Sequence, residues 1–270
     1  MMVRILLWIL AAAVVLYLGA CILLYAFQGS LIYFPQPRSE GSSETVFKLP
    51  VSDADVLVSA RPHDGPKALI YFGGNAEDVS RDLLPFSQAF PDHAIYLLHY
   101  RSFGGSSGTP SEEAIQRDAI ALFDKVHAEH PQTAVIGRSL GSGVAVRLAS
   151  QRSVSSLILI TPYNSFQEIA ASHFPHMPVK WILRDKFESW RYASHISVPT
   201  LLIAAGNDEV IPRASTDRLY THFAKGVALL RVIPDTDHNS ISASPQYLEA
   251  IQSGLESLPR SGTSPPKLPG

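Results

Sequence analysis

From Ile5 to Phe27 the chain runs 23 residues without a charged side chain. No other feature narrows its structural options as much. A segment that enters lipid must satisfy its own backbone N–H and C=O groups, and for a single run of this kind that means a helix. At about 1.5 Å per residue it makes about 34 Å of helix, enough to cross a hydrocarbon core of about 30 Å. A cleaved signal peptide would have a shorter apolar core, of about 7–15 residues, and a small-residue cleavage site. Leu18-Gly19-Ala20-Cys21 has the form of a lipobox, but Ile22–Phe27 carries the apolar run past the cysteine. The expectation is therefore an uncleaved, single-pass signal anchor over residues 1–27. Tyr17, Tyr25, Phe27, Tyr33 and Phe34 are expected to form an aromatic belt at its far interface. Arg4 and the α-amine favour a cytoplasmic N-terminus, with the rest of the chain on the non-cytoplasmic side.

The positive mean hydropathy of +0.09 belongs to this segment. Without Met1–Phe27 the chain is about 41% hydrophobic, ordinary for a soluble domain. A net charge of −2 excludes strong electrostatic attraction to nucleic acid or acidic lipid. The single cysteine, Cys21, excludes an intramolecular disulfide and any cysteine-rich zinc module. Residues 28–43, with Pro35, Pro37 and Gly41, read as a connector, and residues 44–260 as the folded domain. Residues 261–270, rich in Ser, Pro and Gly, read as a disordered tail.

Within the domain, short apolar runs alternate with helical patterns. Strands are expected at Thr45–Val51, Asp55–Arg61, Ala68–Phe72, Ala94–His99, Thr133–Ile136, Leu157–Thr161, Thr200–Ala204 and Val227–Ile233. Helices are expected at Glu77–Phe90, Ser111–Glu129, Leu140–Gln151, Ala214–Ala224 and Pro245–Leu258. The first two strands, separated by Ser52-Asp53-Ala54, suit a hairpin. The alternation that follows implies parallel crossovers and a mostly parallel, doubly wound α/β sheet with helices on both faces. Uninterrupted apolar strands such as Leu69–Phe72 and Leu201–Ala204 fit burial on both faces. Pro162–Pro199 breaks the rhythm and is rich in aromatics. It is expected to be a small helical lid, about residues 163–197, with the aromatics of Phe174–Tyr192 as its core and an apolar acyl-binding wall as the alternative.

Gly137-Arg138-Ser139-Leu140-Gly141 matches G-x-S-x-G between an expected strand and an expected helix. A nucleophile on so tight a turn takes a strained backbone, and flanking glycines relieve the crowding. Ser139 is the candidate nucleophile. It requires a base and an orienting acid, which in this kind of sheet follow in the order acid, then histidine. Asp208 comes after the strand at Thr200, and His238 after the last strand. Glu209 and Asp237 are rival acids, though Asp237 adjoins His238 and is poorly placed to reach the far ring nitrogen. An oxyanion hole needs two backbone N–H donors. Leu140 is one candidate. Asn75, in the loop Gly73-Gly74-Asn75-Ala76-Glu77, is the other, with Gly74 or Ala76 as alternatives. That loop lacks the G-K-[ST] ending of a phosphate-binding loop. Arg101–Gly108 reads as a flexible turn, with an active-site wall as the alternative. His127 with His130 and His173 with His176 have i,i+3 spacing but no acidic partners, so surface or lid positions are expected rather than a metal site.

These features resemble the α/β-hydrolases, and within them the membrane-anchored Bem-type group. The resemblance runs from about Gln28 to Leu258. It is carried by Gln28–Pro35, Phe72–Ala76, Tyr100–Ser106, the turn around Ser139, Thr161–Ser165, Asp208–Pro212 and His238-Asn239. It implies Ser139 as nucleophile, His238 as base and Asp208 as acid, with no metal or organic cofactor. Members usually carry His-Gly-Asn-Ala-Gly at the oxyanion loop; here Gly73 stands for the histidine and Glu77 for the last glycine. The expected activity is hydrolysis of carboxylic esters or thioesters, with a small-molecule or lipid-like acyl substrate. A serine peptidase of the same fold and a non-catalytic, membrane-tethered binding protein are the alternatives.

Overall fold

The computed structural model describes residues 1–39 and 45–257. The sequence that reads as a tail, residues 261–270, and part of the connector lie outside the described residues. Eight strands form one sheet: β1 (Thr45–Pro50), β2 (Asp55–Arg61), β3 (Lys67–Phe72), β4 (Ala94–Leu98), β5 (Gln132–Arg138), β6 (Leu157–Ile160), β7 (Thr200–Ala205) and β8 (Ala228–Ile233). Their spatial order is β1-β2-β4-β3-β5-β6-β7-β8. β1 and β2 form the expected hairpin, β2 joins β4 antiparallel, and every later pairing is parallel. Each strand lies within two residues of its expected span.

The helices are α1 (Met2–Ile32), α2 (Leu83–Ala89), α3 (Glu112–Glu129), α4 (Leu140–Ala149), α5 (Phe166–His173), α6 (Val179–Ile182), α7 (Trp190–Ala193), α8 (Arg213–His222) and α9 (Pro245–Ser257). Alternate residues of each strand point to opposite faces, and the two cores divide accordingly. Ile70 and Phe72 of β3 join Leu122, Leu148 and Leu219 on the face covered by α3, α4 and α8. Leu69 and Tyr71 join Phe86, Tyr247 and Ile251 on the face covered by α2 and α9. Burial on both sides explains why β4, β6 and β7 contain no polar alternation. The break at Pro162–Pro199 holds α5, α6 and α7, packed over the carboxyl end of the sheet.

Four local expectations are corrected. The helix expected over Glu77–Phe90 is a 3₁₀ turn at Val79–Asp82 followed by α2. Pro85 has no N–H to offer the carbonyl of Arg81 and its ring crowds that carbonyl, so an α-helix can begin only just before it. Second, α1 continues to Ile32, into the sequence that reads as connector, and Tyr33 is buried at 3% exposure rather than joining an aromatic belt. Its hydroxyl donates to Asp185 Oδ2 at 2.9 Å. Third, Arg101–Gly108 is pinned, not loose. Arg101 is 4% exposed and grips Asp118 (2.8 and 2.9 Å) and Asp53 (2.8 Å twice), each bidentately. Fourth, His130 is buried, between the Tyr96 hydroxyl (3.1 Å) and the Gly65 carbonyl (2.7 Å). His127 stacks on Phe123, while His173 and His176 are exposed within the insertion.

Candidate active site

The turn from β5 into α4 is as tight as the glycines imply. A Cβ on Gly137 would lie 2.3 Å from the Gly141 carbonyl oxygen, and one on Gly141 would lie 2.0 Å from that of Phe72. Neither position admits a side chain. Ser139 between them has φ 49° and ψ −117°, a region that an L-residue occupies only when its surroundings force it. The turn lifts the Ser139 hydroxyl off the carboxyl edge of the sheet, at the N-terminus of α4.

The loops after β7 and β8 end at the same edge. His238 Nε2 stands 3.0 Å from Ser139 Oγ, and His238 Nδ1 stands 2.9 Å from Asp208 Oδ2 and 3.1 Å from Oδ1. Asp208 is held from behind, since its Oδ1 accepts the N–H groups of Val210 (3.0 Å) and Ile211 (2.7 Å). All three side chains are largely buried. The rival Asp237 is occupied by its own turn, where its Oδ1 accepts the N–H of Asn239 and Ser240. The structure thus brings Ser139, His238 and Asp208 into one hydrogen-bonded line. Such a line can pass a proton from the hydroxyl to the imidazole while the carboxylate fixes the ring.

The loop after β3 faces the same hydroxyl. The N–H of Gly74 is taken by Glu77 Oε2 at 2.7 Å, and the N–H of Gly141 by the Gly73 carbonyl at 3.1 Å. Among the described residues no acceptor takes the N–H of Asn75 or of Leu140. The Asn75 side chain instead reaches the end of α1, with Nδ2 donating to the Ile32 carbonyl at 3.0 Å. The Gly73 carbonyl also accepts the Tyr100 hydroxyl at 2.9 Å, so the pinned turn after β4 braces this loop.

Two residues of the site were not read from the sequence. Glu77 accepts the Tyr71 hydroxyl at 2.5 Å besides the Gly74 N–H, and pairs with Arg138 Nη1 at 3.2 Å. Arg138 Nη2 donates to the His238 carbonyl at 3.2 Å. One ion pair therefore joins the loop after β3, the serine turn and the histidine loop. Burial, and then the Glu77 charge, push the neighbouring Asp82 well above the usual carboxylate range. The available signal was an acidic residue in one glycine-rich turn and a basic residue in another, after strands that lie side by side.

The sheet order and the strained serine turn define an α/β-hydrolase. A model of the serine hydrolase (FSH1) family matches residues 91–236, more than half of the chain. The chain belongs to that family. It is 25% identical over 260 residues to protein bem46 of Schizosaccharomyces pombe, covering 84% of this chain and 85% of that one. It is 32% identical over 190 residues to lysophosphatidylserine lipase ABHD12 of Rattus norvegicus, covering 62% of this chain and 46% of the lipase. Among solved structures, the esterase Pf2001 of Pyrococcus furiosus superposes with a TM-score of 0.65 at 16% identity, covering 84% of this chain and 97% of the esterase. The Bem-type resemblance of the sequence is thereby shown.

Proposed function

We propose that this hydrolase cleaves carboxylic esters or thioesters of acyl or lipid-like substrates through an acyl-enzyme. The observation that carries the reading is the Ser139–His238–Asp208 line at a strained serine turn. Ser139 Oγ attacks the carbonyl carbon as its proton passes to His238 Nε2. Asp208 holds the Nδ1–H tautomer and stabilises the imidazolium. The N–H groups of Asn75 and Leu140 receive the oxyanion, where a preorganised donor is worth about 10²–10³ in kcat. His238 then protonates the departing alcohol or thiol. In the second half-reaction His238 takes a proton from water as the water oxygen attacks the acyl carbon, then gives it to Ser139 Oγ as the acyl–Oγ bond breaks, which releases the acid and restores Ser139. The name of the lipase relative and the apolar insertion beside Asn75 support an acyl substrate. The apolar run of α1, ahead of the domain, supports a membrane anchor, and Arg4 before it supports a domain on the non-cytoplasmic side.

A fluorophosphonate probe should label the wild-type chain, and activated esters should be cleaved faster than aminoacyl anilides. No labelling would sink the hydrolase reading, and faster anilide cleavage would favour a peptidase.

Glu77 is a positioning residue in this reading, because its carboxylate sets the Gly74 backbone next to the Asn75 donor. Glu77→Ala is expected to lower kcat by about tenfold or more while KM moves little, since a small displacement of an oriented group costs up to about 100-fold. Glu77→Gln keeps an oxygen for the Gly74 N–H and should recover part of the loss. Equal losses in both variants, or a change confined to KM, would remove this role.

A further inference from the structure

Helix α1 does more than lead into the domain; it is built into the insertion. The Gln28 side chain donates to the Ile182 carbonyl at 3.0 Å and accepts the Arg184 N–H at 2.7 Å. Eleven residues earlier, about 16 Å along the helix, the Tyr17 hydroxyl donates to the His176 carbonyl at 3.0 Å. The insertion therefore runs alongside the helix over that distance.

Between the two lies a cavity of about 510 Å³, within the range of about 300–1,000 Å³ typical of small-molecule sites. Leu24, Leu31 and Ile32 of α1 form one wall, and Ile169, Phe174 and Met177 form the other. Its inner end is lined by Asn75 and Val210, the first next to the proposed oxyanion site and the second two residues from Asp208. The cavity thus runs from apolar side chains of α1 to Asn75, on the loop that faces Ser139.

The depth of the opening follows from helix length. At 31 residues α1 is about 46 Å long, about 16 Å more than a hydrocarbon core. If its first twenty or so residues fill the core, Tyr17 lies just inside the boundary, Leu24 stands at headgroup level, and Leu31 and Ile32 stand about 15 Å above the core, past the headgroups. The tip of the insertion, tied to Tyr17, then sits in the interface. Its outward side chains suit that position, because Trp181 is 81% exposed and Phe174 45% exposed.

We infer that the cleft between α1 and the insertion is an acyl-chain site filled sideways from the bilayer, so that the anchor helix is itself a wall of the substrate site. The occupant is the acyl chain of an ester-bearing lipid resident in the adjoining leaflet. Its chain lies along Leu24 and Leu31 while its carbonyl reaches Ser139. This inference rests on the serine-hydrolase reading above.

The test uses the full chain in phosphatidylcholine vesicles containing a lysophospholipid whose palmitoyl-length chain carries a diazirine. The Ser139→Ala variant holds the lipid uncleaved. After irradiation, crosslinks are expected both on Leu24–Ile32 and on Phe166–Met177. Crosslinks confined to Met2–Tyr17 would overturn the inference. A second measurement fills the cleft from either side, with Leu31→Trp and Ile169→Trp, each checked for folding by circular dichroism. The ratio of kcat/KM for palmitoyl over acetyl p-nitrophenyl esters should fall by about tenfold or more, the scale set by displaced methylenes in an apolar pocket. An unchanged ratio would overturn the cleft as the acyl site. If the wild type cleaved neither ester, the hydrolase reading would fail instead, and the crosslinks would still decide whether lipid enters the cleft.

Discussion

Ser139→Ala is expected to lower kcat for an activated ester by about 10⁴- to 10⁶-fold, leaving only what the oxyanion donors and binding provide. Asp208→Asn should cost about 10⁴-fold, because an amide in that place favours the wrong tautomer of the imidazole. The double variant Ser139→Ala/His238→Ala should be no slower than the worse single one, since groups acting on one proton transfer do not contribute additively. Initial rates on purified full-length protein, with fluorophosphonate labelling in parallel, measure all three. A Ser139→Ala protein that kept more than a few per cent of the wild-type rate would remove Ser139 as nucleophile. The size of the expected loss follows from geometry. The hydroxyl has one base within reach, at 3.0 Å, and that base has one carboxylate behind it.

Arg101→Met is expected to destabilise the fold by about 3–5 kcal/mol, because it strips a buried carboxylate of its partner. Asp118 is 1% exposed at its side chain and Arg101 5%, so water cannot replace the lost bonds. For a domain of this size the melting temperature should drop by about 6–20 °C in calorimetry. Adding Asp118→Leu to Arg101→Met should restore a good part of the loss, since an apolar pair carries no unpaired charge. A melting temperature unchanged in the single variant would mean that the two bidentate pairs contribute nothing net. Activity should fall with stability here, because Tyr100, next to Arg101, braces the Gly73 carbonyl.

Much of this architecture is legible because burial on two faces writes itself as unbroken apolar strands. Leu69–Phe72, Leu157–Ile160 and Leu201–Ala205 have no other stable use. The meeting of Ser139, Asp208 and His238 follows from the same source, since each lies just past the carboxyl end of a parallel strand, and those ends share one edge. What escapes the sequence depends on contacts across the sheet. Nothing in the order of residues indicates that Tyr33 turns inward to Asp185, or that His130 fills the space between Tyr96 and Gly65. Glu77 and Arg138 are far apart in the chain and meet only because β3 pairs with β5. Pro85 was a visible breaker, but helical periodicity on both sides of it hides the shift from 3₁₀ to α.

The two hydrogen bonds from Gln28 to the insertion give α1 a role as a gauge in the proposed arrangement. A flexible tether would let the hydrolase sample esters at any depth and in solution. On the proposed membrane placement, a strut hydrogen-bonded at Tyr17, Gln28 and Ile32 would hold Ser139 at one height above the leaflet. Under that proposal, selection would act on where a lipid carries its ester along its own length as well as on what the ester is. Two lipids with the same acyl chain, differing only in how far the carbonyl sits from the headgroup, would be unequal substrates.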